Sequence, residues 1–166
     1  MNAGQDAEFR IELARAQDIP IILHMITAIA EYEHLSHELT VTEAILRDAL
    51  FGPSPAAEVV IGYVGSVPVG FAVYFPTFST APGHAGLYLE DLYVEPGWRG
   101  RGFGRQLLAH VARTATARGR GGLHWSVLRW NESAIRFYRS LGAVPVEDSV
   151  SFRLAGDALE RLVGES

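Results

Sequence analysis

The stretch Arg99-Gly100-Arg101-Gly102-Phe103-Gly104 is the feature that most constrains how this chain can fold. It follows a β-prone run that ends at Val94 and precedes an amphipathic run that reaches Ala117. Glycines let backbone amides approach a ligand closely, and the start of a helix offers unpaired N–H groups and a positive dipole end. The arginines of this region, Arg99, Arg101 and Arg105, add positive charge. The stretch therefore predicts a strand–loop–helix unit that binds a pyrophosphate group.

Two common nucleotide-binding loops do not match this stretch. A Walker A loop requires a lysine, and the basic residues of this chain are all arginine. The dinucleotide fingerprint G-x-G-x-x-G is broken by Arg105, and the loop comes late in the chain rather than after a first strand. A glycine-rich turn with only a structural role is the alternative that the pattern leaves open.

The charges are distributed unevenly along the chain. Residues 99–139 contain nine arginines and one acidic residue, a net charge of +8, whereas residues 1–98 carry −10 and residues 140–166 carry −3. A basic segment between acidic ones indicates a surface that meets a compact anion. A nucleic-acid backbone would also meet the acidic remainder, so we expect no nucleic-acid partner. Two solvated, arginine-rich helix faces are the simpler alternative.

Length and composition indicate a folded, soluble protein. The 166 residues suit one domain, 48% of them are hydrophobic, and no apolar run approaches the roughly 20 residues of a membrane helix. The first eight residues lack the apolar core of a secretion signal. The absence of cysteine excludes disulfides, a thiol nucleophile and cysteine metal ligands. We therefore expect a cytoplasmic protein without a membrane partner.

Hydrophobic periodicity and turn signals predict alternating strands and helices. The predicted strands cover residues 9–13, 58–64, 67–75, 87–94, 123–128 and 149–154. The predicted helices begin near Asp18 and at Thr42, cover residues 104–117 and 131–141, and include a short helical turn at Leu159 and Leu162. Residues 77–86, rich in Ser, Thr, Pro and Gly, are predicted to form a loop. This order predicts an α/β protein with a central mixed sheet.

Several segments together resemble a known enzyme family. The loop matches the R/Q-x-x-G-x-G/A motif of the GNAT superfamily of N-acetyltransferases. The segments that resemble its diamine (spermidine/spermine) and thialysine acetyltransferase branch are Leu87–Val94, Trp130–Tyr138, Leu141–Ala143, Ala30–Glu33 and Phe152–Leu154. The resemblance spans nearly the whole chain. It implies a single GNAT domain over residues 1–166, with a mostly antiparallel mixed sheet flanked by helices, and a homodimer.

The resemblance also implies roles for individual residues. Acetyl-CoA would be the co-substrate, with no metal. The residues implied to hold it are Leu92, Tyr93, Val94, Arg99, Gly100, Arg101, Gly102, Phe103, Gly104, Arg105, Asn131, Ser133, Ala134 and Tyr138. The backbone of the first three would hold the pantetheine arm, and Gly100 to Arg105 the pyrophosphate. The acidic residues implied to line the acceptor site are Glu31, Glu33, Glu90 and Asp91.

Two residues have chemistry suited to acetyl transfer. An alkyl ammonium ion, with a pKa of about 10, must lose a proton before it attacks, and a carboxylate can accept that proton. Glu90 is the candidate base, and partial burial within its strand would raise its pKa. Strict alternation would place Asp91 on the opposite face. Tyr138 is the candidate proton donor to the departing thiolate. An ordinary ion-pairing role for Glu90 and a packing role for Tyr138 are the alternatives.

The acceptor is less well defined by the sequence. Polyamine acetyltransferases of the family tend to carry an acidic residue and a tryptophan before the Glu-Asp strand, and residues 79–86 contain neither. We therefore expect a small cationic amine, such as a diamine or a lysine-like compound, acetylated directly in a ternary complex. A protein or peptide N-acetyltransferase and a non-catalytic acyl-CoA sensor are the alternatives. His34 and His37 have helical spacing, but no third metal ligand can be named.

Overall fold

The computed structural model describes residues 8–80, 83–119, 121–147 and 150–164. The described residues belong to two compact units, which divide between Ser126 and Val127. The first unit contains a sheet and three α-helices, and the second contains two α-helices. In the described part of the chain, no helix combines the length and apolar character needed to cross a bilayer.

The sheet has five strands in the order in which they occur in the chain. Their bounds are β1 Phe9–Leu13, β2 Glu58–Val64, β3 Val67–Ser79, β4 His84–Val94 and β5 Leu123–His124. The first three pairings are antiparallel, and β5 pairs with β4 in parallel. This mixed, mostly antiparallel sheet confirms the predicted fold class.

The helices of the first unit begin and end close to the predicted boundaries. Their bounds are α1 Ile19–Tyr32, α2 Glu43–Phe51 and α3 Phe103–Ala117. Short 3₁₀ turns precede or follow them at Ala16–Asp18, Ser36–Glu38 and Pro96–Trp98. Thr42 caps α2, because its side-chain oxygen accepts a hydrogen bond of 3.2 Å from the Ile45 amide. Asp18 precedes α1, but its carboxylate accepts a hydrogen bond of 2.8 Å from the Arg15 amide instead of capping that helix.

One hydrophobic cluster of the first unit lies between the sheet and the pair α1 and α2. Ile19, Ile22 and Met25 of α1 are fully or almost fully buried, as is Phe71 of β3. Val73 and Tyr93 belong to the same cluster. Burial of such apolar side chains contributes roughly 1.5–3 kcal/mol each relative to their exposure. This packing fixes α1 against the end of β4, which matters for the site described below.

The second unit contains α4 Glu132–Ser140 and α5 Asp157–Gly164. The prediction that Asn131 caps α4 is confirmed, since its Oδ1 accepts a hydrogen bond of 3.2 Å from the Ala134 amide. Gly142 has a φ of 88°, a left-handed conformation that glycine adopts without strain, so the predicted stop is also confirmed. The helical turn predicted at Leu159 and Leu162 is part of the longer helix α5.

Three sequence predictions about strands are wrong. Most of the predicted loop 77–86 belongs to the hairpin of β3 and β4, because its Thr, Phe and Ser side chains are tolerated in strands despite the turn-like composition. The predicted strand 123–128 pairs only at Leu123 and His124. Residues 150–154 of the predicted last strand form no strand, and Phe152 is 93% exposed; the first residue of that prediction, Ser149, lies outside the described residues.

Candidate active site

The predicted pyrophosphate loop has an open, glycine-dependent backbone. Gly100 and Gly102 have φ values of 76° and 80°, and Gly102 stands at the N-cap of α3 without a side-chain cap. Among the described residues, no heavy atom lies within 4 Å of a Cβ atom added at either position. The described part of the chain therefore leaves open space at the loop, where the first amides of α3 can meet an anion. These features fit a pyrophosphate group.

Aromatic side chains pack against one another at this loop. The Phe103 ring stacks on the Phe9 ring of β1, with 4.2 Å between centroids and 7° between planes. The Trp98 ring lies 6.3 Å from that of Phe103, and the Arg101 guanidinium carbon lies 4.8 Å from the centroid of Trp98. The Phe103 side chain thus packs, and only its backbone is left to bind a ligand. Arg105, in the first turn of α3, is exposed.

The end of β4 leaves one edge of the strand without a strand partner. Leu92, Tyr93 and Val94 pair with β3 on one side. Among the described residues, β5 pairs with β4 only at Leu87 and Tyr88, so the opposite edge from residue 89 onward has no neighbouring strand. Such an edge can hold an extended ligand by main-chain hydrogen bonds, as an added strand would.

The register of β3 and β4 is interrupted at Glu90. Val73 pairs with Asp91 and Tyr74 pairs with Leu89, so Glu90 has no partner on β3. This extra residue is a β-bulge, a feature that often adjoins active sites. The regular alternation of side chains along β4 is therefore interrupted at Glu90.

The bulge changes which residues share a face of the sheet. On β3, Phe71, Val73 and Phe75 alternate onto one face, and their partners on β4 are Tyr93, Asp91 and Tyr88. Asp91 consequently shares a face with Tyr88 and with the buried Tyr93 ring, on the side of α1. Sequence periodicity could not reveal this, because no sequence signal marks the bulge.

The two acids of β4 differ in exposure. Glu90 is exposed, so the expected partial burial of Glu90 is wrong, whereas Asp91 is half-buried. Burial, with smaller contributions in the same direction from the neighbouring carboxylates of Glu90 and Glu33, raises the pKa of Asp91 to about 7. The group prepared to exchange a proton near neutral pH is therefore Asp91.

The acidic residue at the end of α1 approaches this part of β4. Glu33 is half-buried there, its amide donates a hydrogen bond of 2.9 Å to the Ile29 carbonyl, and its carboxylate acts on Asp91. Burial raises the pKa of Glu33. Glu33, Glu90 and Asp91 thus form an acid cluster on the first unit, whereas Glu31 is exposed in the last turn of α1. The cluster can attract and hold a cationic amine.

A cavity of about 200 Å³ opens on the same face of the hairpin, beyond the acid cluster. It is lined by Thr77, Phe78, Ser79, His84, Gly86, Tyr88 and His124. The Tyr88 hydroxyl is 2.8 Å from Ser126 Oγ, and the Tyr88 ring stacks on Phe75 at 5.2 Å. The described residues that line this cavity contribute hydroxyl and imidazole groups but no carboxylate.

The remaining predicted site residues belong to the second unit. Asn131 is buried and caps α4, Ser133 is exposed and Ala134 is half-buried. Tyr138 is half-buried on α4, with its ring 5.2 Å from that of Phe137. The sequence signal that singled out Asn131 thus reflects a helix cap in this structure.

Histidine and acidic residues do not assemble into a metal centre in the part of the chain that the structure describes. No group of three such residues is placed to hold an ion there. His37 lies near Glu38, at 3.7 Å between Nε2 and Oε1. His34 is the non-glycine residue with a positive φ, 60°, just after α1.

The site combines a glycine loop at the start of a helix with a preceding bulged strand that carries two acids. Comparison with known proteins identifies the class of enzyme to which such a site belongs. Residues 22–143 match the acetyltransferase (GNAT) family. The chain belongs to this family, and it is an N-acetyltransferase. It is 36% identical to the mouse thialysine N-epsilon-acetyltransferase, over 95% of this chain and 99% of the relative.

One further relative and two solved structures are also similar to this chain. The chain is 28% identical to the L-ornithine N5-acetyltransferase of Arabidopsis thaliana, over 92% of this chain and 87% of the relative. An integron cassette protein of V. cholerae superposes with a TM-score of 0.78 at 23% identity, covering 93% of this chain and 97% of that one. An aminoglycoside acetyltransferase from a soil metagenome superposes with a TM-score of 0.75 at 19% identity, covering 90% and 97%. These structural likenesses establish the fold alone.

Proposed function

We propose that this protein moves the acetyl group of acetyl-CoA to a primary amine of a small cationic acceptor, by direct attack in a ternary complex. The observation that carries the proposal is the open glycine loop at the start of α3, which follows the bulged strand that bears Glu90 and Asp91. The reaction forms a C–N bond to the amine and breaks the thioester C–S bond, with the thiol of CoA as leaving group.

The donor is held by the loop and by the free edge of β4. In this proposal the backbone of Gly100 to Arg105 and the arginines of that stretch bind the pyrophosphate, because they combine amide donors, a helix dipole and positive charge. Main-chain groups of Leu92 to Val94 hold the pantetheine arm. On the second unit, Asn131, Ser133, Ala134 and Tyr138 are assigned to the donor by the family resemblance alone.

The amine loses its proton to a carboxylate of β4. Glu90, as the bulged residue, is the proposed base, directly or through one water. Asp91, with Glu33 and Glu31, holds the incoming ammonium group. A bound cation favours the ionised form of Asp91 and so lowers its raised pKa toward the ordinary range of a carboxyl group.

Tyr138 is the proposed proton donor to the thiolate. A phenol with a pKa near 10 can protonate or hydrogen-bond a thiolate whose own pKa is about 8.5. The chain contains no cysteine, so no acetyl-thioenzyme can form on it. This supports direct transfer rather than a covalent relay.

The acceptor is proposed to be a diamine or a lysine-like amine of moderate length. The acid cluster attracts one cationic group, whereas the cavity beyond it offers hydroxyls and imidazoles without a second carboxylate. A long polyamine would therefore leave its distal charges without acidic partners there. Two relatives are named for their action on thialysine and L-ornithine, which are amino acids of this kind.

Other parts of the proposal have separate sources. One GNAT domain over residues 1–166 and a homodimer follow from the resemblance, and the cytoplasmic location follows from the composition of the chain. A protein or peptide N-acetyltransferase is the second candidate function. Both candidates share the donor site, so only the acceptor distinguishes them.

An amine panel tests this proposal. The panel contains lysine, ornithine, thialysine, putrescine, spermidine, spermine, glutamate and short peptides, each assayed with acetyl-CoA at low and high salt. We expect the highest kcat/KM for lysine-like amines or short diamines, falling with salt because exposed acids attract them over a Debye length of about 10 Å at 0.1 M. Preference for peptides would support the second candidate. Preference for glutamate, or salt independence of the cationic series, would contradict the electrostatic assignment.

A further inference from the structure

The side chain of Arg99 is engaged with the protein itself. Its Nε donates a hydrogen bond of 2.8 Å to the Val94 carbonyl, on the last residue of β4. Its guanidinium carbon lies 5.3 Å from the centroid of the Tyr32 ring and 5.5 Å from that of Tyr93. Both distances are within the range of cation–π attraction. The guanidinium thus has three partners, on α1 and β4.

Tyr93, one of these partners, is held in place by further contacts. Tyr93 is 7% exposed, its ring meets Phe71 edge-on at 6.4 Å, and its hydroxyl donates to Glu95 Oε2 at 3.2 Å. The other oxygen of Glu95 lies 3.1 Å from Nε2 of His24 on α1. Through Glu95, His24 and Tyr93 therefore form a second link between α1 and the end of β4, in addition to the Arg99 contacts.

The Arg99 contacts join the acceptor part of the proposed reaction site, at the end of α1, to its donor part, at the end of β4. Both parts belong to the first unit. Tyr32 immediately precedes Glu33, and Asp91 is two residues before Tyr93. Arg99 itself begins the glycine loop. A shift of the guanidinium would therefore alter the spacing between Glu33, where α1 ends, and the end of β4.

We propose that Arg99 is a positioning residue that braces the acceptor end of α1 against the donor-binding end of β4, rather than a pyrophosphate ligand. The chemistry of the guanidinium suits this role, because its planar face stacks on rings while its edge donates to a carbonyl. Lysine cannot do both. The inference rests on the proposed function, since it takes acetyl-CoA as the donor.

The decisive comparison uses two donors, acetyl-CoA and acetyl-pantetheine, which lacks the pyrophosphate. If Arg99 acts as a brace, its substitution should lower kcat/KM by the same factor with both donors. We expect Arg99→Gln and Arg99→Lys each to lower kcat/KM by about 10- to 100-fold with either donor, the loss expected from one hydrogen bond to a charged group. The KM for the amine should rise in both variants. Arg105→Gln provides the reference for a phosphate contact and should lose more with acetyl-CoA than with acetyl-pantetheine.

Two results would overturn the proposal. One is a loss in Arg99→Gln that is confined to acetyl-CoA, and the other is full activity in Arg99→Lys, which would mean that positive charge alone suffices. Failure of the wild-type protein to acetylate any amine would instead contradict the proposed function. The donor comparison within active variants therefore separates the two failures.

A second variant keeps the test independent of how Arg99 substitutions fold. Tyr32 is 41% exposed, so Tyr32→Leu removes the α1 ring with little change in the core, and Tyr32→Phe retains it as the matched control. Tyr32→Leu should reproduce the Arg99→Gln pattern more weakly, and its effect should be non-additive with Arg99→Gln. Additive losses, or equal losses in Tyr32→Leu and Tyr32→Phe, would count against the brace.

Discussion

Glu33, where α1 ends, is close enough to Asp91 on β4 for its carboxylate to raise the pKa of Asp91. The two residues are far apart in sequence and meet because the core packs α1 against the face of the sheet that the bulge gives to Asp91. This relationship joins two of the acids that the resemblance assigns to the acceptor. Burial, together with Glu90 and Glu33, raises the pKa of Asp91 to about 7.

The stability of the protein should depend on Asp91 in a pH-dependent way. Burial, more than the nearby acids, raises its pKa from 3.8 in the unfolded chain to about 7 in the folded protein. The folded state therefore binds a proton more tightly, and ionised Asp91 destabilises it above pH 7 but not below about pH 4. Asp91→Asn should raise the melting temperature at pH 8, and the gain should vanish toward pH 4.

Thermal denaturation between pH 4 and pH 8.5 checks this expectation. Glu90→Gln is the comparison variant, because Glu90 is exposed and adjacent. Its gain should be smaller than that of Asp91→Asn at pH 8. An Asp91→Asn gain that is constant with pH, or absent at pH 8, would show that Asp91 is not held in a desolvated environment.

The glycine loop predicts a matched pair of substitutions. Gly102 and Gly119 both have a left-handed φ, 80° and 66°, and open space where a Cβ would stand. Alanine at either position should cost about 1 kcal/mol of stability. Only Gly102→Ala, and more strongly Gly102→Val, should weaken acetyl-CoA binding, because Gly119 lies beyond the other end of α3. Calorimetric titration measures the affinities; unchanged binding in folded Gly102→Val would refute the loop assignment.

Deletion of one hydroxyl group tests the role of Tyr138. Tyr138→Phe keeps the ring and removes the proton donor, so kcat should fall by about 10- to 10⁴-fold while the affinity for acetyl-CoA changes little. Tyr63→Phe on β2 is the control for the loss of a hydroxyl elsewhere, and it should retain full kcat. A Tyr138→Phe variant as active as the wild type would show that Tyr138 is not the proton donor and has only a packing role.

The two acids of β4 can be separated by their pH profiles. Glu90→Gln should lower kcat/KM at neutral pH and regain activity at high pH, where solvent supplies the free amine. Asp91→Asn should mainly raise the KM for the amine. Profiles from pH 6 to pH 10 for both variants decide the assignment. Parallel profiles for wild type and Glu90→Gln would remove Glu90 as the base, and a kcat loss confined to Asp91→Asn would transfer that role to Asp91.

Local sequence signals predicted the parts of the molecule that local interactions determine. Thr42 and Asn131 cap helices as expected, Gly142 ends one, and the glycine loop precedes α3. The bulge at Glu90 could not be predicted, because it depends on how β3 and β4 align across a hairpin. The long-range contacts of Arg99 with Tyr32 and of His24 with Glu95 were missed for the same reason, since neither pair has a sequence spacing that signals proximity.

The central claim is direct transfer from acetyl-CoA to the terminal amine of a lysine-like acceptor. Incubation with isotope-labelled acetyl-CoA and thialysine, followed by mass spectrometry and a free-thiol assay, tests it most directly. The account predicts one labelled acetyl group on the side-chain amine per thiol released, and no acetyl group retained on the protein when the amine is withheld. An acetylated protein that passes its label to the amine, or acetyl-CoA binding without thiol release across the amine panel, would contradict it.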